Sequence, residues 1–497
     1  MGINEIIEII VYDYLWGLPL ILILLGGGIY FTLSSGFLQF AFFKDSFTKI
    51  KDSFKGNKDG SSDDSAGVLS SFEAISIALG TTIGVGNIGG VAAAIALGGP
   101  GAVFWMWVAG LFGMAIKVVE ITLAVHYRLK DENNESYGGP NYYINKGIAK
   151  EKGHKSLSKI LSFLFAFGFV LGIFLNIQTY TVSEAVAGTF NWDMNIVAVF
   201  YTVALYLIIS GGMRQIGKIA SIVVPIMVIF YVAGGGVIII NNISHLPEAL
   251  KLIFDSAFTG TAALGGFAGA SFKLAITSGM SRSVFSNEAG WGTAPMIHAS
   301  AKVNHPLKQG IFGIFEVFVD TFIVCSITAL IIIVTGTWSS GLDGATLTLE
   351  AFQTGTGYFG RVILAIGVFL FGLTTSSGVY TQIEVVLRYI LGDKPAKDKL
   401  LTIYKWFYPI PSIALVFIAS YYGLPGTTVW LISDAATAFP IFANIIALVI
   451  LFPRFKALLK DYKARYLGQG KVDPEFQVFY ELSNEENNVD EAYIKVE

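Results

Sequence analysis

The chain has 497 residues and a net charge of −3, with 54% of its residues hydrophobic and only 14% charged. A soluble globular domain carries roughly 25% charged residues, so this balance argues against an ordinary soluble enzyme and for a polytopic protein of the lipid bilayer. The small net charge gives no ground for a nucleic-acid partner, and the single cysteine, Cys325, rules out an intrachain disulfide or a cysteine metal cluster.

Taken in chain order, apolar blocks of about 20 residues predict an all-α membrane protein of eleven spans. They are Tyr14–Leu33, Phe72–Leu97, Ala102–Tyr127, Leu157–Gly188, Asn195–Ile209, Ile216–Ile240, Ser256–Met280, Gln309–Gly336, Tyr358–Leu391, Tyr404–Tyr422 and Val429–Phe452. An acidic start (Glu5, Glu8, Asp13) and the lack of a small-residue cleavage site speak against a signal peptide. A polar linker, "KDSFKGNKDGSSDDS", separates the first two spans, and the charged C-terminal tail is expected to be only partly ordered.

Lys and Arg fall in alternate loops: Lys44 to Lys58, then Arg128 to Lys159, Arg214 and Lys218, Arg282 to Lys308, Arg388 to Lys399, and the tail from Arg454. The intervening loops are nearly bare of them. By the positive-inside rule the N-terminus lies outside and the C-terminus is cytoplasmic, in a multi-pass protein of the cell membrane.

The second span contains "GTTIGVGNIGG", Gly80 to Gly90. Gly86 and Gly90 have small-xxx-small packing spacing, but packing leaves Thr81, Thr82 and Asn87 unexplained at a depth where polar groups are costly. An unwound helix exposes carbonyls that coordinate a hard cation such as sodium, and amides that hold a carboxylate. A matching interruption is expected in the seventh span, "TGTAALGGFAGASFKLAITSGM", at Gly265, Gly266 and Gly269. Five spans lead from one interruption to the next, an odd number, so the second half enters the membrane from the opposite side. This predicts a 5+5 inverted repeat. Its divisions are 1–66 for an extra N-terminal helix and linker, 67–242 and 243–454 for the two repeats, and 455–497 for the cytoplasmic tail.

"GTTIGVGNIGG" resembles the first core helix of the leucine-transporter fold, found in the amino acid–polyamine–cation superfamily. "GGPGAVFWMWVAGLFG", Gly98 to Gly113, is similar to the signature of the alanine or glycine:cation symporter family, and "SNEAGWGTAP", Ser286 to Pro295, resembles a second motif of that family. The likeness covers Phe72 to Phe452, and the family's eleven spans match the count here.

The resemblance implies a symporter that imports alanine or glycine with sodium as coupling ion, with no other cofactor and no obligatory protein partner. It implies a sodium site formed by the carbonyls of Gly80, Ile83 and Phe371 with the hydroxyls of Thr374 and Thr375. Neutral oxygens suit sodium better than a divalent ion. A second cation position would use Thr82 and Asn87. The substrate carboxylate would meet the amides of Val85 and Gly86. Its amino group would meet Thr81 and carbonyls around Gly265 and Gly266, with Gln178 as a polar contact, while Asn176 and Tyr180 also point inward. Phe267 and Phe272 would close a small side-chain pocket.

Several charged residues fall within spans. Lys117 and Glu120 are spaced to pair on one helix, Lys273 is within reach of Glu316 or Asp320 of the next span, and Asp434 is a further candidate gate. Glu288 is expected in a cytoplasmic loop. The alternatives are a proton-coupled transporter of another small amino acid and a membrane-embedded enzyme. No HExxH motif or Cys/His pair supports an enzyme, and the histidines lack ligand spacing.

Overall fold

The computed structural model describes residues 9–54, 67–130, 135–174, 176–259, 272–424 and 426–480. Among them the protein is mostly helical, with one two-stranded antiparallel ribbon pairing Leu129 with Tyr137. In chain order the main helices are α1 (Leu18–Ser34), α2 (Phe43–Phe54), α3 (Ser71–Thr82), α4 (Val91–Gly98) and α5 (Ala102–His126). There follow α6 (Lys155–Phe174), α7 (Gln178–Phe190), α8 (Met194–Ile209), α9 (Gly212–Asn241), α10 (Leu246–Thr259), α11 (Phe272–Asn287) and α12 (Thr293–His298). The last are α13 (Pro306–Val334), α14 (Gly344–Leu391), α15 (Lys397–Phe407), α16 (Pro409–Tyr422) and α17 (Gly426–Leu467). Eight helical stretches among the described residues are long and apolar enough to cross a membrane, and α1 and α8 are shorter apolar helices.

Local chemistry explains several boundaries. α3 begins with a capping box: Glu73 N donates to Ser70 Oγ at 3.2 Å, and Ser70 N donates to the Glu73 carboxylate at 2.9 Å. α14 carries a left-handed Gly357 (φ 71°), where the chain turns before its apolar part begins. α11 lies along α4 and α5. The closeness comes from small residues: a methyl group built on Gly98 would lie 2.2 Å from Ser278 Oγ, and one on Gly279 would lie 2.3 Å from the Ala102 carbonyl oxygen.

The structure departs from the expected spans in four places. The fourth is not one helix, because Asn176 and Ile177 lie outside helix between α6 and α7. α2 runs into the polar linker as far as Phe54. In the region of the seventh span, the helix after the expected break continues to Asn287 rather than ending at Met280. The tail is also more ordered than its composition implies. α17 continues to Leu467, and the segment beyond docks on the end of α5. There Tyr480 N donates to the His126 carbonyl at 2.9 Å, and the Arg128 guanidinium sits 4.7 Å from the Phe479 ring centroid.

Candidate functional site

The second span is interrupted where its sequence turns polar. α3 stops at Thr82, Ile83 is extended (φ −81°, ψ 90°), and helix resumes through a π turn at Gly86–Gly90. Every residue from Gly80 to Gly90 is buried, so the freed backbone groups need protein partners. Asn87 Oδ1 accepts from Gly84 N at 2.7 Å. Thr375 Oγ1, from α14, donates to the Gly80 carbonyl at 3.0 Å.

That last contact brings together part of the expected sodium set. A methyl group built on Gly80 would lie 3.2 Å from Thr374 Cβ, and one on Gly84 would lie 2.2 Å from Thr375 Oγ1. Thr374 donates back to the Phe371 carbonyl at 3.0 Å. Its oxygen keeps lone pairs with which a cation can be coordinated. Gly80, Thr374 and Thr375 therefore converge across two helices, with Phe371 bonded to Thr374 and Ile83 buried at the end of the break.

Thr82 and Asn87 are not drawn together. Thr82 Oγ1 bonds back to the Ala78 and Leu79 carbonyls, both at 3.2 Å. Asn87 turns its amide nitrogen to Asp320 Oδ1 at 2.6 Å. Asp320, on α13 and fully buried, also accepts from Ser286 Oγ and from Thr321 Oγ1, each at 2.9 Å. Its carboxylate thus ties the first break to α11.

A second interruption lies at Glu288–Gly292, between α11 and α12. Glu288 (φ 57°), Gly290 (φ 83°) and Gly292 (φ 86°) are all left-handed, a conformation unusual for a glutamate. The "SNEAGWGTAP" segment, expected as a cytoplasmic loop, is a turn packed inside the protein. All of it is buried except partly covered Trp291. Side chains again hold the freed backbone. Lys117 Nζ donates to the Asn287 carbonyl at 2.7 Å, Ala289 N donates to Asn287 Oδ1 at 2.9 Å, and Asn444 Nδ2 donates to the Gly290 carbonyl at 2.9 Å. The first interruption packs on the last turns of α11: a methyl group built on Gly86 would lie 3.2 Å from the Phe285 ring and 3.4 Å from Ser286 Cα.

Other expected pairings change. Lys117 pairs with Glu316 at 3.6 Å rather than with Glu120, and His298 Nε2 contacts Glu316 Oε1 at 2.6 Å. Glu120 instead accepts from Asn444 Nδ2 at 2.9 Å. Gly265, Gly266, Phe267 and Gly269 lie outside the described residues, as does the side chain of Asp434.

Thr81 and Val85 are buried, with Thr81 Oγ1 donating back to the Ala78 carbonyl at 2.7 Å. Phe272, at the start of α11, is 45% exposed, and its ring packs 6.0 Å from that of Trp105. The aromatic wall is built by Phe285 and Trp291, 5.7 Å apart, beside a cavity of about 60 Å³ that Asn176 and Gln178 also line. Asn176 Nδ2 donates to the Tyr408 hydroxyl at 2.9 Å, and its Oδ1 accepts from Gln178 N at 3.1 Å.

Interrupted, buried helices enclosed by long apolar ones define a multi-pass membrane transport protein, in which irregular backbone is tolerated only around a site. A sequence profile of the sodium:alanine symporter family matches residues 2–478, and the chain belongs to that family. It is 37% identical over 445 residues to the sodium/alanine symporter AgcS of Methanococcus maripaludis, covering 89% of this chain and 93% of that one. It is 34% identical to the probable sodium/glutamine symporter GlnT of Bacillus subtilis, covering 93% and 91% respectively. Among solved structures it is similar to the manganese transporter of Eremococcus coleocola, with 12% identity, a TM-score of 0.44, and coverage of 82% and 83%. The protein is a cation-coupled amino-acid transporter.

Proposed function

We propose that this chain imports alanine or glycine by sodium symport, through alternating access in the cell membrane. The observation that carries the reading is the hydrogen bond from Thr375 Oγ1 to the Gly80 carbonyl. It joins the hydroxyl cluster of α14 to the end of an unwound helix, and those oxygens form the first-choice sodium site. Ile83 and the Phe371 carbonyl complete it. The substrate carboxylate meets the amides of Val85 and Gly86, its amino group lies near Thr81, and Gln178 supplies a polar contact. A second cation position would sit at Asn87 beside the Asp320 carboxyl, without Thr82. The name of the Methanococcus relative, a sodium/alanine symporter, supports both ligands.

The same reading covers the architecture. Eight long helical stretches, α1, α8 and the buried α11–α12 unit together supply eleven spans. Counting five from α3–α4 leads to α11–α12, which supports a 5+5 inverted repeat over 67–242 and 243–454 with the second interruption at Glu288–Gly292. The extra helix occupies 1–66, the N-terminus lies outside, and the 455–497 tail is cytoplasmic.

The test is uptake of labelled alanine and glycine into proteoliposomes holding the purified protein. An inward sodium gradient should drive accumulation, and an equal potassium or proton gradient should not. Accumulation driven by protons alone would replace the coupling ion. Absence of uptake under every gradient would reject the substrates.

A further inference from the structure

The cavity beside the second interruption, lined by Phe285 and Trp291, has a wall that alanine leaves unused. Gln382, on α14, is 0% exposed, and it lines the cavity together with Gln178, Phe285 and Trp291. Neither Nε2 nor Oε1 of Gln382 has a hydrogen-bond partner among the described residues. Burying both halves of a carboxamide without partners is costly, and native proteins rarely retain such a group without a use. Among the described residues, none that lines this cavity carries a charge.

We propose that this cavity recognises a carboxamide side chain, so that glutamine and asparagine are substrates of the transport site described above. The proposal rests on that transport reading. An ammonium can only donate, so it satisfies Oε1 and leaves Nε2 unpaired; a carboxylate does the reverse. A second carboxamide satisfies both at once, in a reciprocal pair. None of the described lining residues offers a counter-charge to the side chain of glutamate or lysine.

The geometry suits the length of such a ligand. Gln382 lies seven residues beyond Thr375 on the same helix, which places the two on one face about 10 Å apart along the axis. The backbone end of a substrate sits at the first interruption, against which Phe285 packs. A glutamine side chain reaching along the cavity and the Gln382 side chain reaching back divide the interval between them.

The experiment uses the full chain in proteoliposomes with an inward sodium gradient. Uptake of labelled glutamine is measured beside that of alanine, together with competition against alanine by glutamine and by methionine, which is similar in length but lacks the amide. Glutamine should accumulate, and it should halve alanine uptake at a concentration at least about tenfold below that needed for methionine. A site built to bond a polar group discriminates strongly against an apolar substitute. Gln382→Met should reduce this glutamine-over-methionine preference at least fivefold.

Sodium-driven alanine uptake without glutamine accumulation, or with methionine competing as well as glutamine, would overturn the amide proposal and leave the transport reading standing. Glutamine uptake without alanine uptake would support the cavity assignment and overturn the choice of alanine. Absence of uptake for all of them would remove both. Because the wild-type competition decides the matter by itself, poor expression of the variant leaves the test intact.

Discussion

The second span and α9 differ in how they tolerate helix-breaking residues. α9 contains Pro225, yet its helix runs unbroken from Gly212 to Asn241, and only 28% of its most apolar stretch is buried. The second span contains no proline, yet it unwinds at Ile83, and 94% of its most apolar stretch is buried. A helix facing lipid keeps its backbone bonds because nothing outside can replace them. A helix surrounded by protein can surrender them where Asn87 accepts from a freed amide and Thr375 donates to a freed carbonyl. The interruption therefore depends on its neighbours more than on its glycines. The break at Glu288–Gly292 repeats the pattern with Asn287, Lys117 and Asn444 as partners.

The contrast is broken most severely at Asp320, which gathers Asn87, Ser286 and Thr321. Asp320→Ala leaves three buried donors without their acceptor, at about 1–3 kcal/mol for each unsatisfied group. Sodium-driven alanine uptake should fall at least a hundredfold, and retained wild-type uptake would remove Asp320 from the transport core. A smaller effect is expected at Gly84→Ala, whose new methyl group would displace the Thr375 hydroxyl lying 2.2 Å away. Overpacking costs about 1–3 kcal/mol, so half-maximal uptake should need roughly tenfold more sodium. An unchanged sodium requirement would show that Thr375 can move without consequence. Pro225→Ala in α9 should change uptake less than about twofold, because the helix there is already continuous. A large loss of uptake would make α9 part of the site rather than its frame.

How much of this was legible in the sequence depended on whether burial and composition agreed. In "GTTIGVGNIGG" they did: glycine and polar residues interrupt an apolar run, and the structure has its break there. The hydroxyls of Thr374 and Thr375 came from the family resemblance rather than from composition. The second break was not, because "SNEAGWGTAP" is polar enough to read as a loop, while the fold buries it against α5 and the first interruption. Asn176 was missed as a helix end, since Leu-Asn-Ile holds neither glycine nor proline. Asp320 stood out as a charge in a span, but its partners depend on how three helices are rotated against one another. Gln382 gave no sign at all. A glutamine two turns from a threonine pair acquires meaning only once the cavity and its unpaired amide are known.

The most direct test of the link between the interrupted span and α14 is the sodium dependence of labelled-alanine binding to purified protein, wild type against the Thr374→Val/Thr375→Val double variant. Loss of two oxygen ligands, at about 1 kcal/mol or more each, should raise the sodium concentration for half-maximal binding at least tenfold. Binding at saturating sodium should persist. The same sodium dependence in both proteins would contradict a cation site between Gly80 and the α14 hydroxyls.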